Sequence, residues 1–299
     1  MLENTVVLSN KLEIKIDWLS FTFLDLKMPA DLINMLGFFE KDFSLMPKGS
    51  NGYKSMLKLS GYPLYIMFDG NEDMGIFVSC SGGAIHALIN AFSTTLEIVT
   101  PFDDIVINVN DFKNNVMIEL LIFIKRFGHI ARLDIAIDDI GCRFYKVQQV
   151  HNLLINKQCV SKFRNYQNLS KHSISTGDYF GHTIYMGSRS SNIMMRIYDK
   201  QMEMNSKLPD DKKINFPWVR WEFELKDERA NEVANLIISR KNLGLITLGI
   251  LKNYIRFVNL DDENRSRCSL TKTWKKFLLD VEPLRLYIPV AKKTIEQKK

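Results

Sequence analysis

The sequence predicts an α+β protein in which antiparallel sheets carry flanking helices and the C-terminal part is helical. Three observations predict it: short runs of alternating apolar and polar residues, turn chemistry between them, and stretches of helical periodicity set among them. The chain has 299 residues, 46% hydrophobic and 25% charged, which is enough to bury a sizeable core in one large domain or two modest ones. Its formal net charge of +6 and its pI of about 9.0 favour polyanionic partners without requiring them. Cys80, Cys142, Cys159 and Cys268 lie far apart, with no CxxC or Cys/His spacing. That argues against structural zinc and a disulfide framework and fits a reducing cytoplasm. The most apolar stretch, 116–124, is too short to span a bilayer and contains Glu119. No signal peptide opens the chain, so the expectation is a soluble cytoplasmic protein with no membrane partner.

Taken in order, residues 14–23 are rich in aromatic and β-branched side chains and predict a strand. Pro29 suits a first helical turn, and Ala30, Leu32, Ile33 and Leu36 give that helix an apolar face before Gly37. Residues 53–80 read as an antiparallel meander broken at Gly61-Tyr62-Pro63 and Asp69-Gly70-Asn71. Gly82-Gly83 is a tight turn into a helix over 84–92, and His86 is read as a packed core histidine. Asp111 is placed as the cap of a helix that runs through Val116, Leu120 and Ile124 to Phe127 and stops at Gly128. A strand over 130–139, a helix over 145–155, a strand over 160–166 and a polar turn over 171–177 follow. A hairpin loop at 187–192 leads into a strand ending at Lys200, and a polar linker at 205–215 precedes a strand over 218–226. Helices are expected at 227–240, 243–257 and 271–279, with a short basic tail at 291–299. Each half runs from an Asp-bearing strand through a helix and antiparallel strands to a closing helix. This suggests two related α+β units at 1–128 and 129–242, the second catalytic, and a helical region at 243–299.

Three strands concentrate ionisable groups on one face. In Met195-Arg196-Ile197-Tyr198-Asp199-Lys200, alternation puts Arg196, Tyr198 and Lys200 together. Flanking cations favour a phenolate and attract phosphate, the needs of a tyrosine that attacks a phosphodiester. In 130–139 the same rule gathers Arg132, Asp134 and Asp138, and carboxylates sharing one strand face call for a cation or an arginine beside them. In 218–226 it gathers Arg220, Glu222 and Glu224. If these strands are neighbours, Asp134, Asp138 and Glu222 or Glu224 can hold a divalent metal beside Tyr198. Ser188 and Arg189 at the hairpin tip, with Arg132 and Arg220, are the candidate DNA contacts.

The chain resembles the Rep_trans replication initiation factors, which include initiators of staphylococcal-type rolling-circle plasmids and relaxases of Gram-positive integrative and conjugative elements. The residues that carry the resemblance are Ile16-Asp17-Trp18-Leu19-Ser20-Phe21-Thr22, Met74-Gly75 through Ser81-Gly82, Arg132 to Asp139, and Thr183 to Arg189. They continue with Arg196-Ile197-Tyr198-Asp199-Lys200 followed by Glu203, then Trp221 to Leu225, and Trp274. The resemblance implies an HUH-like relaxase scaffold, here without a His-hydrophobe-His pair, and a site-specific nicking-closing endonuclease with Tyr198 as nucleophile, assisted by Arg196 and Lys200. It implies a 5′-phosphotyrosyl intermediate, a free 3′-hydroxyl and religation, with Mg2+ or Mn2+ as cofactor. The implied partners are double-strand origin DNA, its single-stranded nick site and a host helicase, and a homodimer is compatible with it. Two rival readings stand beside it. A metal-dependent nuclease would leave no covalent adduct, and a non-catalytic DNA-binding regulator would not depend on the carboxylates.

Overall fold

The computed structural model describes residues 6–7, 12–99, 109–239, 242–278 and Leu286. The expected basic tail at 291–299 lies outside the described residues. The chain opens with β1 (Val6–Val7) and β2 (Leu12–Phe23), then α1 (Pro29–Met35). A meander of β3 (Phe43–Leu45), β4 (Ser55–Leu59), β5 (Leu64–Phe68) and β6 (Ile76–Ser81) leads to α2 (Gly83–Val99) and α3 (Val109–Phe127). A second long strand, β7 (His129–Ile140), precedes α4 (Val147–Ile155), β8 (Cys159–Ser161), β9 (Tyr166–His172) and β10 (Tyr179–Met186). Then come β11 (Ile193–Asp199), α5 (Lys200–Asn205), β12 (Trp218–Lys226), α6 (Asp227–Ile238), α7 (Leu243–Tyr254), β13 (Ile255–Phe257) and α8 (Lys272–Leu278).

Eleven strands form one antiparallel sheet in the order β3-β4-β5-β6-β2-β7-β12-β11-β10-β9, with β1 also on β2. Outward from its centre, each half places its first strand innermost, its last strand next and the intervening strands beyond. The strands of 1–128 and those of 129–242 therefore lie in a single sheet, joined where β2 pairs with β7. β8 and β13 make a separate two-stranded sheet. Helices α2, α3, α4 and α6 pack on the large sheet, and α6 buries Ala230, Val233, Ala234 and Ile237.

The apolar face of the sheet follows the alternation. Leu133, Ile135 and Ile137 of β7, Trp221, Phe223 and Leu225 of β12, and Met195 and Ile197 of β11 are all buried. Under β12, Trp221 joins Tyr145, Phe257, Trp274 and Phe277 in an aromatic cluster, with Trp274 stacked on Phe277. In β2 the alternation inverts: Leu12, Ile14 and Ile16 are buried, then Leu19, Phe21 and Phe23. The register against β7 shifts between Ile16 and Trp18, a β-bulge that inserts Asp17 and re-aims its side chain.

Three elements differ from expectation. The strand expected over 160–166 is two strands, β8 and β9, and β9 continues to His172, so the expected turn closes over residues 173–177 instead of starting at 171. β9 is the sheet's outermost strand with six of seven residues exposed, so it has no buried face and no period to read. The helix expected to reach 257 stops at Tyr254, because Ile255–Phe257 pairs with β8. α3 starts at Val109, two residues before Asp111, where the sequence expectation places the cap. No helix among the described residues is long and apolar enough to cross a membrane.

The aromatic cluster supports β12 from beneath. Trp274→Ala should therefore lower unfolding free energy by about 3–5 kcal/mol in urea titrations. A change below about 0.5 kcal/mol would show that the cluster does not support the sheet.

Candidate active site

Register assembles the site from four adjacent strands. Tyr198 lies opposite Arg220, which lies opposite Asp138; Arg196 lies opposite Glu222, and Glu224 opposite Asp134. β2 flanks β7 and sets Lys15 beside Ala136 and Trp18 beside Asp134. The strand-face residues expected to meet do so, on the face opposite the apolar core.

Asp134 and Asp138 are fully buried, and a buried carboxylate must be paired. Asp138 is held by Arg220 through Nε at 2.7 Å and Nη2 at 2.9 Å, by Lys15 Nζ at 2.8 Å, and by Trp218 Nε1 at 2.8 Å. Burial alone would raise this carboxyl, yet Arg220 and then Lys15 hold it below the usual carboxylate range. Arg220 Nη1 also donates to Asp17 at 2.6 Å. Arg220, expected as a DNA contact, is only 2% exposed. Its place at the middle of the sheet commits it to Asp138 and Asp17, which corrects that expectation.

Beside this pair lies a second group. Arg132 grips Asp134 through Nε at 2.8 Å and Nη2 at 2.5 Å, reaches Glu224 at 2.9 Å, and stacks 4.4 Å from the Trp18 ring centre. Glu224 also meets Lys226 at 2.9 Å. Arg196 pairs with Glu222 and lies 3.7 Å from Asp134. Its Nε is buried without a partner, one of three such side-chain atoms among the described residues. Burial pushes the Asp134 carboxyl up to about 8 despite Arg132, and the Glu222 charge adds to the rise.

The Tyr198 hydroxyl donates to Glu222 Oε2 at 2.9 Å. Burial, and then the Glu222 charge, raise the phenol well above its ordinary value, with Arg220 opposing. The sequence expectation that flanking cations favour the phenolate is therefore reversed. Arg196 is engaged by Glu222 and Asp134, and Lys200 by Glu203. Lys200 is also not on the strand: β11 ends at Asp199, whose side chain accepts from the Met202 amide at 3.1 Å and caps α5. From the first residue of α5, Lys200 still brings Nζ to 5.7 Å from the Tyr198 ring centre. Burial and then Arg220 lower its pKa.

At the exposed β10–β11 hairpin, Ser188 Oγ bonds Ser190 Oγ at 2.8 Å, and the Arg189 guanidinium lies 5.3 Å from the Tyr185 ring centre. Among the described residues no three Asp, Glu, His or Cys side chains converge to hold a metal ion. The four-carboxylate set is split, because Asp138 belongs to the Arg220 network. The cross-strand pair Asp134 and Glu224 is no freer: Arg132 holds both Asp134 oxygens and Glu224 Oε2, and Lys226 holds Glu224 Oε1. As placed, these residues do not form a ready site for a hard cation, which needs several oxygen donors of its own. Lys15 and Asp17 belong to the site but were not among its expected members. Their signal was present: charged residues at every second position, Glu13, Lys15 and Asp17, in an otherwise apolar strand.

The sequence pattern of the replication initiation factor family matches residues 128–299, which include β7, β11 and β12. The chain belongs to that family. It is 32% identical over 162 residues to "Putative DNA relaxase NicK" of Bacillus subtilis (strain 168), a match covering 54% of this chain and 46% of that protein. The match thus spans about half the length of that relative. The structure of a rolling circle replication initiator protein from Geobacillus stearothermophilus superposes with a TM-score of 0.71 at 30% identity, covering 92% of this chain and 98% of that one. The family match begins at residue 128, so Lys15 and Asp17 lie outside it although they complete its ion pairs.

Removing the Asp138 charge leaves Lys15 buried without its carboxylate and Arg220 with Asp17 alone. Asp138→Asn should cost about 3–5 kcal/mol of stability at pH 7. Because the folded pKa is depressed, this contribution is present above the unfolded value near 4 and is lost as pH falls through the folded one. Urea unfolding across pH should show the wild-type advantage shrinking below about pH 4; an advantage unchanged at low pH would contradict the assignment.

Proposed function

We propose that the protein is a rolling-circle replication initiator or relaxase that nicks one strand of an origin in the cytoplasm and can reseal it. The carrying observation is the Tyr198 hydroxyl bonded to Glu222 Oε2 beside the unpartnered Nε of Arg196. A phenol whose pKa is raised needs a base, and the carboxylate already holding its proton is Glu222. Tyr198 Oη attacks the scissile phosphorus as its proton passes to Glu222, and the bond from phosphorus to the 3′ oxygen breaks. Arg196 Nε offers a donor to a non-bridging oxygen where charge develops. Lys200, an ammonium made more acidic by burial, protonates the departing oxygen to a free 3′-hydroxyl. The 5′-phosphotyrosyl ester conserves the bond energy, so attack by a 3′-hydroxyl reverses the step without ATP.

The family resemblance implies Mg2+ or Mn2+, which would supply positive charge to the phosphate oxygens; Asp134 and Glu224 would hold it only by giving up Arg132 and Lys226. Asp138, with Arg220, Lys15 and Asp17, positions β12, β7 and β2 relative to one another. Ser188, Arg189 and the exposed side of Arg132 contact origin DNA. A host helicase and a second copy of the chain are the protein partners that the family resemblance implies.

Phenylalanine at 198 keeps the ring and removes the nucleophile. Tyr198→Phe should bind duplex origin DNA like wild type and form no denaturant-stable adduct with a labelled origin strand. In the same assay Glu222→Gln should slow adduct formation by about 10²–10⁴-fold. Nicking by Tyr198→Phe without an adduct would instead favour water as the nucleophile.

A further inference from the structure

Tyr198 forms part of the wall of an open cleft of about 1070 Å3, bounded by β9, β10 and α5 with the segment after it. Thr183 is the direct cross-strand partner of Tyr198, and Leu169 lies opposite Thr183 in turn. The cleft floor therefore runs from the phenol to the β9 edge of the sheet. On this floor the protein leaves flat and apolar surface uncovered. Leu169 is 54% and Phe180 48% exposed. A register shift between Tyr179 and Gly181 interrupts the alternation of β10 where Phe180 enters the lining. Tyr185, another lining residue, is half-buried with the Arg189 guanidinium over its ring.

Two of the cleft's three carboxylates are engaged, Glu203 by Lys200 and Lys207 and Asp199 as the cap of α5, while the third, Asp178, is exposed at the far end and accepts from the Thr176 hydroxyl. Lys171 lines the cleft and is exposed. A phosphodiester strand reaching Tyr198 has this cleft as its neighbour, and aromatic faces accept bases that are not already stacked in a duplex.

We infer that the cleft binds single-stranded DNA next to the scissile phosphate, stacking bases on Phe180 and Tyr185 instead of reading base edges. The inference rests on the reading of Tyr198 as the nucleophile. Since every base has a π-face, the subsite tolerates sequence, and its affinity adds to origin recognition made elsewhere. Because stacking carries it, losing a platform lowers affinity without altering the dependence on salt.

The test is fluorescence anisotropy of the full chain with a fluorescein-labelled oligothymidylate, beside a fluorescein-labelled duplex hairpin. Phe180→Ala should weaken oligothymidylate binding roughly tenfold, with an unchanged salt slope and unchanged hairpin binding, and Phe180→Tyr should restore it. Unchanged oligothymidylate affinity in a Phe180→Ala/Tyr185→Ala double variant would overturn the inference. Equal losses on both probes would also overturn it, by showing a general effect on the fold. Adduct formation at saturating origin strand separates the two readings. Unchanged stacking with a normal wild-type adduct removes the cleft and leaves Tyr198 in place. Loss of stacking in the variant, with no adduct from wild type, keeps the cleft as a single-strand site and removes the nucleophile.

Discussion

The ion pair of Arg220 with Asp138, enclosed at the centre of an antiparallel sheet, is the constraint on which the site depends. Two charges taken out of water cost several kcal/mol each unless geometry and further hydrogen bonds compensate them. Here the compensation comes from both halves of the sheet: Arg220 from β12, Asp138 from β7, and Lys15 and Asp17 from β2. A one-residue slip of β12 against β7 would break the pair and turn the aromatic side chains of β12 toward the charges. The pair therefore fixes the register of β12 on β7, while the Arg196–Glu222 pair holds β11 on β12 and with it Tyr198 beside Glu222.

That dependence explains the division of labour between the halves. The second half carries Tyr198, Glu222, Arg196, Asp134 and Glu224. The first half supplies its innermost strand, whose bulge at Asp17 lets one strand bury apolar side chains at both ends while aiming a carboxylate at Arg220. Without β2, Asp138 would lose Lys15 and Arg220 would lose Asp17.

Much of this was legible in the sequence. Period-two patterning placed Asp134, Asp138, Arg196, Tyr198, Glu222 and Glu224 on one sheet face. Partner choice was not legible, because it depends on which strands are neighbours and in what register. Alternation cannot tell whether Asp138 meets a metal or Arg220, nor that Arg220 is enclosed instead of facing DNA. The protonation of Tyr198 was misjudged for a related reason: the sequence shows the cations at 196 and 200 but not the carboxylates of Glu222 and Glu203 that engage them. Lys200 left the strand because the Asp199 side chain caps a helix there. β9 escaped notice because an edge strand open to solvent has no apolar period.

The central claim is that the oxygen held by Glu222 is the one that becomes bonded to phosphorus. Its most direct test is to trap the wild-type protein on an origin strand, digest both protein and DNA, and locate the nucleotide-bearing peptide by mass spectrometry. The account predicts a single modified peptide with the phosphoryl group on Tyr198; a phosphoryl group on Tyr179 or Tyr185 would contradict it.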